Sequence, residues 1–195
     1  MTDGAIVGKP NYGWEWEDLL RCRLDLDVPE GWRAEITEGG VTMTPPPGNG
    51  HNRVAHLVHR ALVRAVPDDR AILQTLGIAI RGASRLYLPD LVVVPDRELS
   101  ERPDNVPVPA EMAELVVGIV SHVSARTDRV EKLWAYAHAP VPLYLLIDRY
   151  AEPKPSVTLF SDPVDGHYRR SEQVSFGEMI RLPAPFDLAL DTAGF

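Results

Sequence analysis

The sequence predicts an α/β fold, a mixed β-sheet flanked by helices, and three observations carry that prediction. Two continuous apolar runs, LVVGIVS (115–121) and VPLYLLID (141–148), bracket a segment of helical spacing, TDRVEKLWAYAHA (127–139). A buried strand, about a dozen helical residues and another buried strand make a βαβ-like unit. Alternating segments with turn signals precede and follow it, as antiparallel hairpins require. No G-x-G-x-x-G or Walker sequence occurs, so a doubly wound nucleotide fold is not indicated.

The 195 residues suit one domain over 1–195, with a helical N-terminal extension (1–30) and a core over 31–195. Hydrophobic content of 45% and charged content of 25% are those of a soluble globule with a sizeable core. No apolar run approaches the ~20 residues of a membrane span, so no membrane partner is expected. MTDGAIVGKP lacks the basic and apolar regions of a secretory signal, which points to the cytoplasm. One cysteine, Cys22, excludes an internal disulfide and a cysteine metal cluster. The net charge of −8 counts against a general nucleic-acid binder unless the basic groups gather on one face. Lys9, Lys132 and Lys154 are the only lysines among many arginines, which draws attention to each.

In chain order, WEWEDLLRCRLDL (14–26) has helical spacing. RAEIT and GVTMT, around Glu38-Gly39-Gly40, read as a hairpin. After the loop PPPGNG, residues 51–66 place Val54, Leu57, Val58, Ala61, Leu62 and Ala65 on one helical face. AILQTLGIAI (71–80) reads as one strand, and RLYLPDLVVVP (85–95) as another interrupted by Pro89, which cannot donate to a ladder. Residues 96–112 are polar and proline-rich and read as a long loop. Ser124 or Thr127 is positioned to cap the helix of 127–139. PSVTLFSD and HYRRSEQVS form a hairpin after the last apolar run.

The candidate chemistry is sparse. Asp90 joins two apolar runs, LYLP and LVVV, where a carboxylate needs a partner; a strand-end aspartate bound to backbone amides is the plain reading. At 100° per residue Val130, Leu133, Trp134 and Ala137 form a core face, and Arg129, Lys132 and Tyr136 share a stripe nearly opposite. That stripe is a solvated face unless it borders a cleft. His56 and His59 are three apart on a helix but lack a clustered third ligand. His51 stands where loop meets helix, as a cap or a site residue. Ser121 and Ser124 have no G-x-S-x-G elbow. Gly118, inside an otherwise apolar strand, contributes no side chain to the packing.

Taken together, several blocks resemble one family. They are E-x-x-x-G-x-V (Glu35, Gly39, Val41), the proline loop and His51, YLPDLVVVP with Asp90, ELVV-x-IVS, and S-x-R-x-D-R-x-x-K-x-x-x-YA (124–137). VPLYLLID and LPAPFDLAL (182–190) complete them. This order, from about residue 30 to the end, resembles the Uma-two family of restriction endonucleases, a branch of the PD-(D/E)XK nuclease superfamily. The resemblance implies a restriction-endonuclease-like core, DNA as partner, and Mg²⁺ (or Mn²⁺) held by two carboxylates for phosphodiester hydrolysis. The aspartate falls on Asp90 and the catalytic lysine on Lys132, while the second metal-binding carboxylate falls on Gly118, which cannot ligate. His51, Asp128, Arg129 and Tyr136 are possible accessories. Glu114 has the right strand parity for a substitute ligand, but four residues span ~13 Å. Asp128, Asp148 and Glu38 are other substitutes. Two functions follow: a metal-dependent endonuclease of impaired activity, or a degenerate member that binds nucleic acid or protein without hydrolysis. By analogy with related nucleases, a homodimer is expected as well. Pro140 replaces the glycine expected to end the helix.

Overall fold

The computed structural model describes residues 5–8, 14–104 and 106–195, with side chains from residue 14 onward. In chain order the elements are β1 (Ala5–Gly8), α1 (Trp16–Asp25), β2 (Arg33–Thr37), β3 (Gly40–Thr44), α2 (Asn49–Leu62), β4 (Arg70–Leu73), β5 (Ile78–Ile80), β6 (Arg85–Tyr87) and β7 (Leu91–Pro95). Then come α3 (Asp96–Ser100), β8 (Val108–Pro109), β9 (Leu115–Ile119) and a π-helical turn (Thr127–Glu131) that runs into α4 (Lys132–His138). β10 (Leu143–Asp148), β11 (Ser156–Val164), β12 (His167–Ser175), β13 (Met179–Leu182) and β14 (Leu188–Asp191) complete the order.

The strands form two six-stranded sheets, β1-β3-β2-β6-β5-β8 and β12-β11-β10-β9-β7-β4, and a β13-β14 pair. In the second sheet β9 and β10 are parallel, with Leu115 opposite Leu143 and Ile119 opposite Ile147, and the other pairings are antiparallel. The predicted mixed sheet flanked by helices is therefore the observed architecture. Its central strands are apolar on both faces because both faces are covered. Leu91, Val93, Leu115, Val117, Leu145 and Ile147 pack with Val54, Val58 and Leu62 of α2. On the opposite face Val92, Val116, Val120, Tyr144 and Leu146 pack with Ala135 and Tyr136 of α4 and with Ile78 and Tyr87 of the first sheet. Residues before Arg33 are tied to that first sheet: β1 pairs with β3, and Trp16 and Leu19 of α1 cover Ile36, Val41 and Leu86.

Four local expectations are corrected. The run 71–80 divides into β4 and β5, which belong to different sheets, because the chain turns at Thr75 with φ 57°. The 96–112 segment holds α3 and β8, so it is not a continuous loop. Neither Ser124 nor Thr127 caps a helix with its side chain; Ser124 Oγ instead accepts from the Ser121 amide (3.1 Å). Finally, the face expected to be buried on 127–139 is only half so: Val130 is 57% and Trp134 46% exposed while Ala137 is buried and Leu133 half-buried, and the stripe expected outside holds Lys132 at 7% and Tyr136 at 0% exposure. The wide π turn breaks the 100° phase, and buried carboxylates provide a place for the ammonium. Without a glycine, the helix ends on Ala139 (φ −91°), and the Val141 amide donates to the Tyr136 carbonyl (3.0 Å).

Candidate functional site

The ends of both sheets meet at a cleft of about 290 Å³. Strand alternation puts Arg33 and Glu35, two apart on β2, on the same side. α2 brings His51 in its first turn, the Leu88–Asp90 link between β6 and β7 brings Asp90, and the π turn and α4 bring Asp128 and Lys132. Arg149 and Tyr150 follow β10 on the far wall.

Asp90 binds on three sides. Its Oδ1 accepts from Arg33 Nη1 (2.9 Å) and lies 2.8 Å from His51 Nε2, and its Oδ2 accepts from the Ile119 amide (2.7 Å). Its own amide donates to the Val117 carbonyl (3.1 Å), so residue 90 grips the chain on both sides of Gly118. Burial opposes ionisation of the Asp90 carboxyl, but His51 and Arg33 outweigh it and hold its pKa below the ordinary aspartate value.

Lys132 Nζ lies 3.0 Å from Asp128 Oδ1 and 3.3 Å from Glu35 Oε1, over the Tyr87 ring at 5.4 Å. Glu35 Oε1 also accepts the Leu88 amide (2.7 Å). Burial disfavours the ammonium, yet the two carboxylates prevail and raise the Lys132 pKa well above its ordinary value. Lys132 is therefore a fixed cation at neutral pH and cannot serve as a base.

A Cβ built on Gly118 would lie 2.8 Å from Tyr144 Oη, which donates to the Asp128 carbonyl (2.9 Å). The position facing α4 is thus taken by a phenol, and burial raises the pKa of that phenol. A second close approach occurs at Gly50, where a Cβ would lie 2.5 Å from Arg149 Nη2. The absence of a side chain there lets Arg149 lie against the first turn of α2. Among the described residues Arg149 has no carboxylate or hydrogen-bond partner, and His51 Nδ1 is likewise buried without a partner.

Of the residues expected from sequence, the fold brings Asp90, Lys132, His51 and Asp128 to one cleft, with Gly118 behind its wall. Arg129 does not join them: it forks onto Asp148 (2.6 and 3.0 Å) and reaches the Tyr150 carbonyl. Tyr136 is buried beneath the site, edge-on to Tyr87 and Tyr144. Of the substitute carboxylates, only Asp128 lines the cleft, since Asp148 is held by Arg129 and Glu38 stands 3.8 Å from Arg126. Glu114 is paired with Arg70 (2.9 Å). The cleft also uses Arg33, Glu35 and Arg149, which the sequence did not single out as site residues. Arg33 and Glu35 do alternate at the correct spacing on a predicted strand, but nothing local says that strand faces Asp90, 57 residues on from Arg33.

These residues do not fit a divalent cation in this arrangement. Mg²⁺ needs several oxygen donors around one point, commonly one or two carboxylates plus water. Three of the roughly four lone-pair sites of Asp90 are occupied, and Glu35 and Asp128 share Lys132. Among the described residues no group of three His, Cys, Asp or Glu side chains stands together as a metal site. Arg33, Lys132 and Arg149 also match Glu35, Asp90 and Asp128 one for one in formal charge. No excess negative charge is left to hold the ion.

Among known proteins, a family model described as "Putative restriction endonuclease" matches residues 16–193. The fold is similar to that of a solved structure described as "a putative nuclease belonging to DUF820 from Anabaena variabilis ATCC 29413", with a TM-score of 0.68 at 16% identity, over 90% of this chain and 95% of that one. No curated protein matches. With the match spanning all the site residues and nearly the whole chain, the protein belongs to the Uma2 family.

Proposed function

We propose that this protein is a nuclease-like DNA-binding member of its family in which hydrolysis has been lost or strongly impaired, its cleft holding a phosphodiester through cationic side chains. The observation that carries this reading is Gly118 with Tyr144 Oη in the adjoining space. A metal-ligating carboxylate has neither a side chain to come from nor room to enter. The remaining carboxylates are engaged by Arg33, His51 and Lys132. Among the described residues Arg149 is a cleft cation without an ion-pair partner, and a guanidinium suits the bidentate geometry of a phosphate.

Metal-dependent DNA hydrolysis is the second reading. It is favoured by the gathering of Glu35, Asp90, Asp128 and Lys132 in one cleft. There Mg²⁺ or Mn²⁺ would polarise a water and neutralise phosphate charge. The deciding experiment is incubation of supercoiled plasmid with wild-type protein in Mg²⁺ or Mn²⁺, alongside a duplex-DNA binding titration in EDTA. The first reading expects binding in EDTA and little or no nicking. Nicking by wild type that Asp90→Ala abolishes would establish the second, and no binding with or without metal would defeat the first.

A further inference from the structure

The second sheet ends on β12, a nine-residue strand whose outer edge pairs with no other strand among the described residues. Its middle, Arg169 to Gln173, is exposed, and the strand contains no proline that would block a ladder. Such an edge carries a row of free N–H and C=O groups and is a template for another strand.

A second copy of the same strand is the partner that its charges select. In an antiparallel pair, directly opposed residues are of the same hydrogen-bonding type. A two-fold pairing of β12 with itself must therefore centre on a residue. Centring on Arg169 or Arg170 opposes two arginines, and centring on Glu172 opposes two glutamates; like charges directly opposed destabilise a ladder. Centring on Ser171, the midpoint of His167–Ser175, opposes Arg170 to Glu172 twice and Arg169 to Gln173 twice. It also pairs Tyr168 with Val174 and engages the strand along its whole length. Within the chain Arg170 has only a long, exposed contact to Asp162 (4.0 Å), so it is available to a partner.

We propose that the protein forms a two-fold homodimer by antiparallel pairing of β12 with β12 of a second copy, centred on Ser171. The two second sheets then make one continuous twelve-stranded sheet. β12 and β4 are the two edges of this sheet, and β11 separates β12 from β10, β9 and β7, whose ends border the cleft, so the pairing leaves the cleft of each copy open. The interface is independent of what the cleft binds.

The test is sedimentation equilibrium of the full chain, wild type against Arg170→Glu and Glu172→Arg. Each substitution turns both charge pairs of the symmetric ladder repulsive, and dissociation is expected to strengthen at least about tenfold. Circular dichroism checks that these exposed replacements leave the fold intact. Mixing the two variants in equal amounts restores attraction at both pairs, so a heterodimer is expected where neither variant alone dimerises. The double variant R170E/E172R regains the homodimer. A wild type that stays monomeric at about 100 µM would overturn the proposal, as would a dimer whose stability neither variant alters.

Discussion

Alanine at position 118 should destabilise the protein, and removing one oxygen atom from Tyr144 should abolish that cost. The backbone of Gly118 is not in the left-handed region, so alanine is conformationally allowed there. What it meets is Tyr144 Oη at 2.8 Å, on a fully buried ring that stacks on Phe160 and stands edge-on to Tyr136. Overpacking a filled core costs about 1–3 kcal/mol. Displacing the hydroxyl from the Asp128 carbonyl adds about 1 kcal/mol, while alanine recovers about 0.5–1 kcal/mol of backbone entropy. The net loss is about 1–3 kcal/mol, or some 3–10 °C in Tm for a chain of this size. Tyr144→Phe alone loses the hydrogen bond and costs about 1 kcal/mol. In that background the nearest ring carbons are 3.4 and 3.5 Å from the new Cβ, close to ordinary contact, so the alanine becomes nearly neutral. Urea unfolding of the four proteins should give a coupling of about 1–3 kcal/mol between the sites. Additive costs would refute the reasoning that Tyr144 fills the space beside Gly118.

Three further outcomes follow from the same contacts. Lys132→Met leaves Glu35 and Asp128 buried without their cation and should cost about 3–5 kcal/mol in urea unfolding. Because the native pKa of Lys132 is raised, its contribution is fully present below the unfolded lysine value of about 10.4 and is lost as pH climbs through the native value. The wild type should therefore weaken above about pH 10.4 more than the methionine variant does. Asp90 is the reverse case. Its native pKa is lowered, so its contribution is present above the unfolded value of about 3.9 and is lost as pH falls through the native value; Asp90→Asn should cost about 1.5–3 kcal/mol at pH 7 and flatten the acid limb. Among the described residues Arg149 joins no ion pair, so Arg149→Ala should hold stability while DNA affinity falls and the salt slope shrinks by about one.

Much of this architecture is legible from patterning. LVVGIVS and VPLYLLID read as doubly buried strands because a helix covers one face and further packing the other, and a run of apolar residues is the only solution for both. Lys132 is instructive in the opposite way. Helical phase sets it outside with Val130 and Trp134 inside, yet the π turn rotates the helix and buries the lysine between Glu35 and Asp128. Periodicity counts apolar residues; it does not see that a distant strand supplies a carboxylate to a buried ammonium. Glu35 and Arg33 escaped notice as site residues for the same reason, since their partners lie on the far side of the fold. Asp90 was conspicuous because a carboxylate between LYLP and LVVV needs explaining: it binds the Ile119 amide, as the plain reading requires, and it also lines the cleft. Gly118 was conspicuous as a glycine inside an apolar strand, and the resemblance made it the place of an expected carboxylate. That Tyr144, two residues into the next strand, fills the space beside Gly118 required the register of β9 against β10.

With its acidic groups satisfied by its own cations, the cleft is proposed to take no divalent metal. Electron paramagnetic resonance of free Mn²⁺ titrated with the wild-type protein measures that directly. The spectrum of free Mn²⁺ should persist undiminished at millimolar metal and should be indistinguishable for wild type and Asp90→Asn. One stoichiometric Mn²⁺ bound below about 0.1 mM, and lost in Asp90→Asn, would contradict the claim and restore the cleft as a metal centre.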